Sequence, residues 1–224
     1  MRIRIVSYNV HSFRAGVDAV AAVLREADPD VVCVQECGPK SLLRALAADL
    51  GMEWASSHRS FNRVRNAVLH RPEWRSSAVT VRDLSHDGRT LRRGLIVVRL
   101  RRAGVRLTAG CFHLGLAPAE RERHARELTD LLAGIEGPVV LAGDLNEEPG
   151  EPAARWIAER YYDAFARAGD GPGATFPSRA PTARIDYVFV SEHLRPLSAW
   201  TVGGPAGRDA SDHRPVVADV EAPP

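Results

Sequence analysis

Lysine is almost missing from this chain of 224 residues: Lys40 is the only one, and the rest of the 30 basic residues are arginine. The planar guanidinium fork suits phosphate. A bias spread over the whole chain reads equally as composition, however, so no function is taken from it. Charge of one sign is missing too. Basic and acidic residues stand at 30 against 28, a net charge of +2, which leaves no strong electrostatic footprint for a nucleic acid. Cysteine is scarce and odd in number. Cys33, Cys37 and Cys111 lie in apolar or mixed runs, which excludes a disulfide framework and points to reduced, partly buried thiols. A zinc centre made from these and His113 is disfavoured, because Cys33 sits inside a buried run and the spacing matches no common finger. Long hydrophobic runs are lacking as well. Met1 leads straight into a strand-like stretch, with nothing long enough for a signal peptide or a membrane span. The expected protein is soluble and cytoplasmic.

No repeat, low-complexity tract or domain-dividing linker interrupts the chain, so residues 1–224 read as one domain. A chain of this length buries roughly 70% of the surface its unfolded form exposes and needs no disulfide to fold. Ile3 to Tyr8 alternates and is rich in β-branched residues, a strand. Val17 to Ala27 has helical spacing and stops at Asp28-Pro29-Asp30. Val31 to Val34 is a buried strand, and Pro39 to Leu50 is a helix closed by Gly51. Short strands follow at Ala67–His70, Ala78–Val81, Leu95–Leu100 and Val105–Cys111, the last two forming a hairpin. Pro118 to Ala133 is the clearest helix. Pro138–Ala142, Arg184–Val190 and Pro215–Val220 complete the strands, with a Gly/Pro-rich loop at Gly169–Pro181. Mixed helices and hairpins predict an α/β layered sandwich with mixed sheets.

Residues able to bind metal or move protons recur at the strand ends. Asn9 follows the first strand, Glu36 the second and His113 the hairpin strand; Asp144 and Asn146 follow the Pro138 strand. Asp186 opens the Arg184 strand, and Asp212-His213 precedes the last. Strand ends are where open α/β sheets gather ligands. The set suits phosphoester hydrolysis. A hard cation such as Mg²⁺ or Mn²⁺ takes carboxylate oxygens, Glu36 first, and the histidines and remaining carboxylates can activate water and serve the leaving oxygen. In Asp144-Leu145-Asn146 the two polar side chains share one side of an extended backbone while Leu145 points to the core. Taken singly, each has a bland reading: Asn9 and Asp212 as turn formers, Glu36 as a helix-start charge, Asp186 as a strand-edge charge. Only their combination outweighs these.

Six stretches in order resemble the endonuclease/exonuclease/phosphatase superfamily: Ser7-Tyr8-Asn9-Val10-His11, Val34-Gln35-Glu36, Cys111-Phe112-His113-Leu114, Leu141 to Asn146 with Pro149, Arg184 to Val188, and Ser211-Asp212-His213-Arg214-Pro215-Val216. The resemblance spans nearly the whole chain. It implies a four-layer sandwich of two packed mixed β-sheets flanked by helices, with metal and phosphate at one edge. It also implies Glu36, with Asn9 and Asp212, as metal ligands, and Asp144 and Asn146 as the pair that positions phosphate and attacking water. By the same resemblance Asp186 matches the carboxylate that orients the histidine matching His213, and His113 matches the general-acid candidate of the deoxyribonuclease and sphingomyelinase branches. Asp144 is taken as the base and His213 as the phosphate stabiliser, with the reverse left open. Asn66, Arg59, Arg63, Arg65 and Arg93 are read as substrate-side residues; a solvated loop remains the simpler reading for Ser56 to Arg65. His11, His58, His70, His86, His124 and His193 are read as exposed, capping or packed. The expected activity is metal-dependent hydrolysis of a phosphodiester, nuclease-like. The alternatives are a phosphatase or phosphodiesterase acting on a lipid or small phosphate, and a non-catalytic binding module on the same scaffold.

Overall fold

The alternating pattern at the N-terminus becomes β1 (Arg2–Asn9), which the rest of one sheet surrounds. The computed structural model describes residues 1–57, 65–88 and 91–223. The other strands are β2 (Val31–Gln35), β3 (Glu53–Ser56), β4 (Ala67–His70), β5 (Arg75–Asp83), β6 (Gly94–Arg102), β7 (Val105–His113), β8 (Val139–Asp144), β9 (Tyr162–Asp163), β10 (Asp186–Val190), β11 (Arg195–Thr201) and β12 (Val216–Glu221). The helices are α1 (Val17–Ala27), α2 (Lys40–Asp49), α3 (Pro118–Leu132), α4 (Pro152–Ala158), α5 (Ala164–Ala168) and α6 (Gly204–Asp209).

Two six-stranded mixed sheets result, ordered β11-β12-β1-β2-β4-β3 and β5-β6-β7-β8-β10-β9. Period-2 burial explains the stacking. Ile3, Ile5, Val31 and Cys33 from one sheet meet Ile96, Val98, Cys111, Val140 and Val188 from the other, all fully buried, in a dry central layer. The opposite face of the first sheet takes α1 and α2 through Val20, Leu24, Leu43 and Leu46. The opposite face of the second takes α3 and α4 through Leu128, Leu132 and Ile157 against Phe112 and Leu141. Four layers stand as helices, sheet, sheet, helices, as the resemblance implied.

Several elements escape the sequence pattern. β11 begins at a proline-bearing run and carries a register break between Pro196 and Ser198, so its alternation is broken. β3 is a half-buried edge strand, and α4, α5 and α6 are too short to show a period. β5 extends beyond Ala78–Val81 on both sides, exposed along an edge where burial gives little pattern.

One motif glycine has a steric reason. Gly143 lies in β8 directly against β7, and a Cβ there would overlap the Phe112 carbonyl oxygen. Parallel pairing sets Phe112 beside Gly143 and His113 beside Asp144. The absence of a side chain at Gly143 thus lets the two strands close where they deliver their functional residues.

Candidate active site

The parallel pairs β1–β2 and β7–β8 point their C-terminal ends the same way, and β10 starts from that end, with Asp186 opposite Asp144. The strand-end residues therefore converge at one edge of the sandwich. Asn9, His113, Asp144, Asp186 and His213 are all buried there, none more than 6% exposed. Glu36, Asn146 and Asp212 are half-buried at its mouth. Glu36 and Asn146 hold left-handed backbone, φ 50° and 55°, a conformation unusual outside glycine that costs about 1–3 kcal/mol for a residue such as glutamate.

Asp144 is the centre. Its Oδ2 accepts from Asn9 Nδ2 at 2.9 Å, and its Oδ1 accepts from the Asn146 backbone N–H at 2.9 Å. The same carboxylate lies 3.3 Å from His113 Nε2 and 3.8 Å from His213 Nε2. Asn9 Nδ2 also reaches Glu36 Oε1 at 3.4 Å, so one amide spans both carboxylates. Behind His213, Asp186 Oδ2 accepts from Nδ1 at 2.8 Å. Ser211 fixes the approach to His213: its hydroxyl donates to the Asn9 carbonyl at 2.7 Å and accepts from the His213 N–H at 3.4 Å.

Electrostatics divide the two histidines. Burial disfavours the charged form of His213, but the Asp186 carboxylate on Nδ1, with Asp144 and Asp212 nearby, outweighs it and pushes the imidazole up to about 10. His213 is an imidazolium at neutral pH. Burial dominates at His113, reinforced by the charges of Arg93 and His213, and holds it well below the usual histidine range. Burial, together with the charge of Asp186, raises Asp144 to about 7 against the pull of His213 and the bonds from Asn9 and Asn146. That value poises a carboxylate to exchange a proton near neutrality.

Arg93 explains His113 further. Arg93 is only 8% exposed, and its Nη1 donates to His113 Nε2 at 2.5 Å. His113 Nε2 accepts from Asn146 Nδ2 as well, at 3.1 Å. In this state His113 carries no proton on Nε2, and the charged donor in that corner is Arg93, in tension with a general-acid role for the histidine. Arg93 was anticipated at the substrate side, and it does face the site. Asn66 is 1% exposed, and its Nδ2 donates to the Gly94 carbonyl at 2.8 Å, anchoring the strand that begins one residue after Arg93. Arg65 is half-buried, its carbonyl accepting from the Cys37 N–H at 3.0 Å; Arg59 and Arg63 lie outside the described residues.

Some neighbours were not foreseen. Consecutive left-handed residues at His11, Ser12 and Phe13 swing His11 back to Asp212, Nδ1 to Oδ1 3.3 Å. Phe176 lays its ring 4.9 Å from that of His213. Helix α3 grips three loops of the site. His124 bridges the Gly115 N–H at 3.2 Å and the Ser85 carbonyl at 2.7 Å, and Glu127 accepts from the Ser85 N–H at 2.8 Å. Arg121 joins the Leu116 carbonyl to the carboxylate of Glu147, the residue after Asn146. A single sequence gives no sign of these long-range contacts beyond the adjacency of Glu147 to the Asp144-Leu145-Asn146 motif.

The donor chemistry fits a hard divalent cation. Glu36, Asp144, Asp186 and Asp212 bring four carboxylates against the two cations Arg93 and His213, and Asp186 Oδ1 is buried with no hydrogen-bond partner. Asp144, Asp186 and His213 hold donor atoms within 4.8 Å of one another. Because His213 is charged and uses Nδ1 on Asp186, it offers that atom to no metal; the carboxylate oxygens remain.

Two six-stranded mixed sheets thus carry a carboxylate–histidine cluster at one edge. Residues 6–213 match the model of the Endonuclease/Exonuclease/phosphatase family, and the chain belongs to it. Members of that family are hydrolases of phosphate esters. The uncharacterized protein YbhP of Escherichia coli is 29% identical over 152 residues, 62% of this chain and 56% of that protein, so the match spans little more than half its length. A conserved protein of unknown function from Enterococcus faecalis superposes with TM-score 0.88 at 21% identity, over 99% of this chain and all of that one. A mannosyl-6-phosphatase from Bacteroides thetaiotaomicron superposes with TM-score 0.85 at 17% identity, over 98% and 99% of the two chains. At these identities the structures share the fold. Among the described residues no helix is long and apolar enough to cross a membrane.

Proposed function

We propose that this protein is a Mg²⁺- or Mn²⁺-dependent phosphoesterase that hydrolyses a phosphodiester by in-line attack of water. The observation that carries the reading is the position of Asp144. It is 1% exposed, raised to about 7, bonded to Asn9 and the Asn146 N–H, and within reach of both site histidines. In this reading Asp144 takes the proton from water and Asn146 orients the phosphate. The His213 imidazolium, held by Asp186, stabilises charge developing on a non-bridging oxygen. Glu36, with Asn9 and Asp212, would hold the metal, which when bound neutralises phosphate charge. Arg93 offers the buried positive charge at the leaving-group side, where it stabilises the departing oxyanion, which takes its proton from solvent; His113, neutral in the free site, accepts from Arg93 and Asn146 and holds them in place.

A phosphomonoester is the second reading, favoured by the likeness to the mannosyl-6-phosphatase. The excess of carboxylates over cations supports the diester, because a monoester brings one more negative charge to the same pocket. The test compares bis-p-nitrophenyl phosphate with p-nitrophenyl phosphate under Mg²⁺, Mn²⁺ and EDTA. Metal-dependent turnover that prefers the diester supports the proposal, and preference for the monoester reverses the substrate assignment. No turnover of either, with no metal bound, would favour the binding module.

A further inference from the structure

At the other end of the second sheet, β5, β6 and β7 carry a block of arginines that takes no part in the chemistry above. Pairing sets Arg75 opposite Arg101 and Arg101 opposite Arg106, so three basic side chains form a row across neighbouring strands about 5 Å apart. Arg99, two residues from Arg101, shares the face and stands opposite Thr108. The alternate residues Leu100 and Leu107 are each 1% exposed and point into the core. Like charges directly opposite each other in a sheet repel, and a carboxylate ordinarily relieves them. None does here: among the described residues the guanidinium groups of Arg75, Arg99, Arg101 and Arg106 have no ion pair or hydrogen bond. Exposed arginines elsewhere are often tied, as Arg25 is to Asp49 at 2.5 Å and Arg195 to Glu221 at 2.6 Å.

The row borders a groove of about 510 Å³ lined by Arg99, Arg101, Arg106, Ser77 and Thr108 and by the turn after α3, whose Glu136 is its one carboxylate. Ser77 sits where the β5–β6 register shifts between Ser76 and Ala78, the extra residue of a bulge that re-aims a side chain. Hydroxyls between unpaired guanidinium groups make the donor set of a phosphate site. Among the described residues none of the exposed large hydrophobics lines the groove, so it lacks the apolar anchor that a lipid surface would engage. The run of β6 from Gly94, opposite His113, to Arg101 sets it about 23 Å from the catalytic end.

We propose that this groove is a second anion site that binds the sugar-phosphate backbone of a nucleic-acid strand without regard to base sequence. Its chain-wide charge balance hides it, since paired arginines and carboxylates elsewhere cancel. The proposal stands or falls apart from the activity assigned to Asp144.

The test measures fluorescence anisotropy of a labelled oligothymidylate with the EDTA-treated full chain over a salt series. Wild type is compared with Arg99→Gln/Arg101→Gln/Arg106→Gln and with the control Arg155→Gln, an exposed residue of α4. The triple variant is expected to lose about tenfold in affinity, and its slope of log affinity against log salt to fall by roughly 2, at about 0.7 per phosphate contact on a single strand. The control keeps both wild-type values. Should the triple variant fail to fold by circular dichroism, Arg101→Gln alone decides, with a slope loss of about 0.7. Wild-type affinity and slope in the folded variant would overturn the proposal, and so would wild-type binding to phosphatidylserine vesicles in preference to the oligonucleotide.

Discussion

Replacing Asp186 by Asn removes one charge from a pair that is almost fully dry: Asp186 is 0% exposed and its Oδ2 lies 2.8 Å from His213 Nδ1. In the native site burial opposes the imidazolium while the carboxylate sustains it, leaving the histidine at about 10 instead of 6.5. At about 1.4 kcal/mol per tenfold change in proton affinity, that difference is on the order of 5 kcal/mol of preference for the charged ring. Without the carboxylate, burial dominates and His213 becomes neutral at pH 7. Asp144 also loses the repulsion of Asp186, which helps raise it to about 7, so its proton affinity falls. The assay is an NMR titration of the His213 ring protons in wild type and variant, with turnover measured in parallel. His213 should stay charged in wild type up to about pH 10 and be neutral at pH 8 in the variant, whose kcat falls by about 10²–10³-fold. Stability of the chelator-treated protein adds a signed test. A raised histidine contributes stability that is full below pH 6.5 and is lost as pH climbs toward about 10. A raised carboxylate loses stability as pH rises from about 4 to about 7. The lowered His113 and His124 act with the opposite sign below pH 6.5, so the signed window lies above it: wild type should weaken between about pH 7 and 9 in denaturant melts, and the variant much less. A wild-type His213 that titrates near 6.5, or a variant still charged at pH 8, refutes the reasoning.

Glu36→Gln should weaken Mn²⁺ binding at least about tenfold by calorimetry while leaving the fold intact, because only an oxygen charge is lost at a half-buried position. Arg93→Met removes one of the charges that hold His113 neutral, so His113 should titrate higher by NMR while kcat drops; an unchanged His113 would detach the two residues. Gly143→Ala must push β8 from the Phe112 carbonyl and should cost about 1–3 kcal/mol of stability in urea melts, with a larger loss of activity than that stability change explains. An alanine variant of wild-type stability and activity would show that the strand approach has slack.

What the sequence made legible follows from local rules. Strand ends were readable from short β-branched runs, and Leu145 is buried as expected; the extended backbone expected through Asn146 is not found, because β8 ends at Asp144 and Asn146 turns into left-handed backbone, φ 55°. The order of motifs carried the fold, two sheets and four layers included. Three things depended on contacts that no window contains. Arg93 becomes a buried cation only because β6 starts at Gly94, whose carbonyl Asn66 holds from the other sheet. Protonation of the histidines is set by neighbours distant in sequence, Arg93 for one and Asp186 for the other, so two similar residues end in opposite charge states. Phe176 and the α3 residues that grip the loops arrive from segments whose patterns are those of ordinary loop and helix. The arginine row was hidden differently: composition counts charges, whereas only strand register shows which of them stand face to face.

The measurement closest to the central claim is Mg²⁺-dependent hydrolysis of bis-p-nitrophenyl phosphate by wild type and by Asp144→Asn, with circular dichroism confirming that both fold. The account predicts turnover in wild type that EDTA abolishes, and a variant slowed by at least about 10²-fold with little change in KM, as expected when a positioned base is removed. A folded Asp144→Asn protein that hydrolyses the diester at the wild-type rate would contradict it.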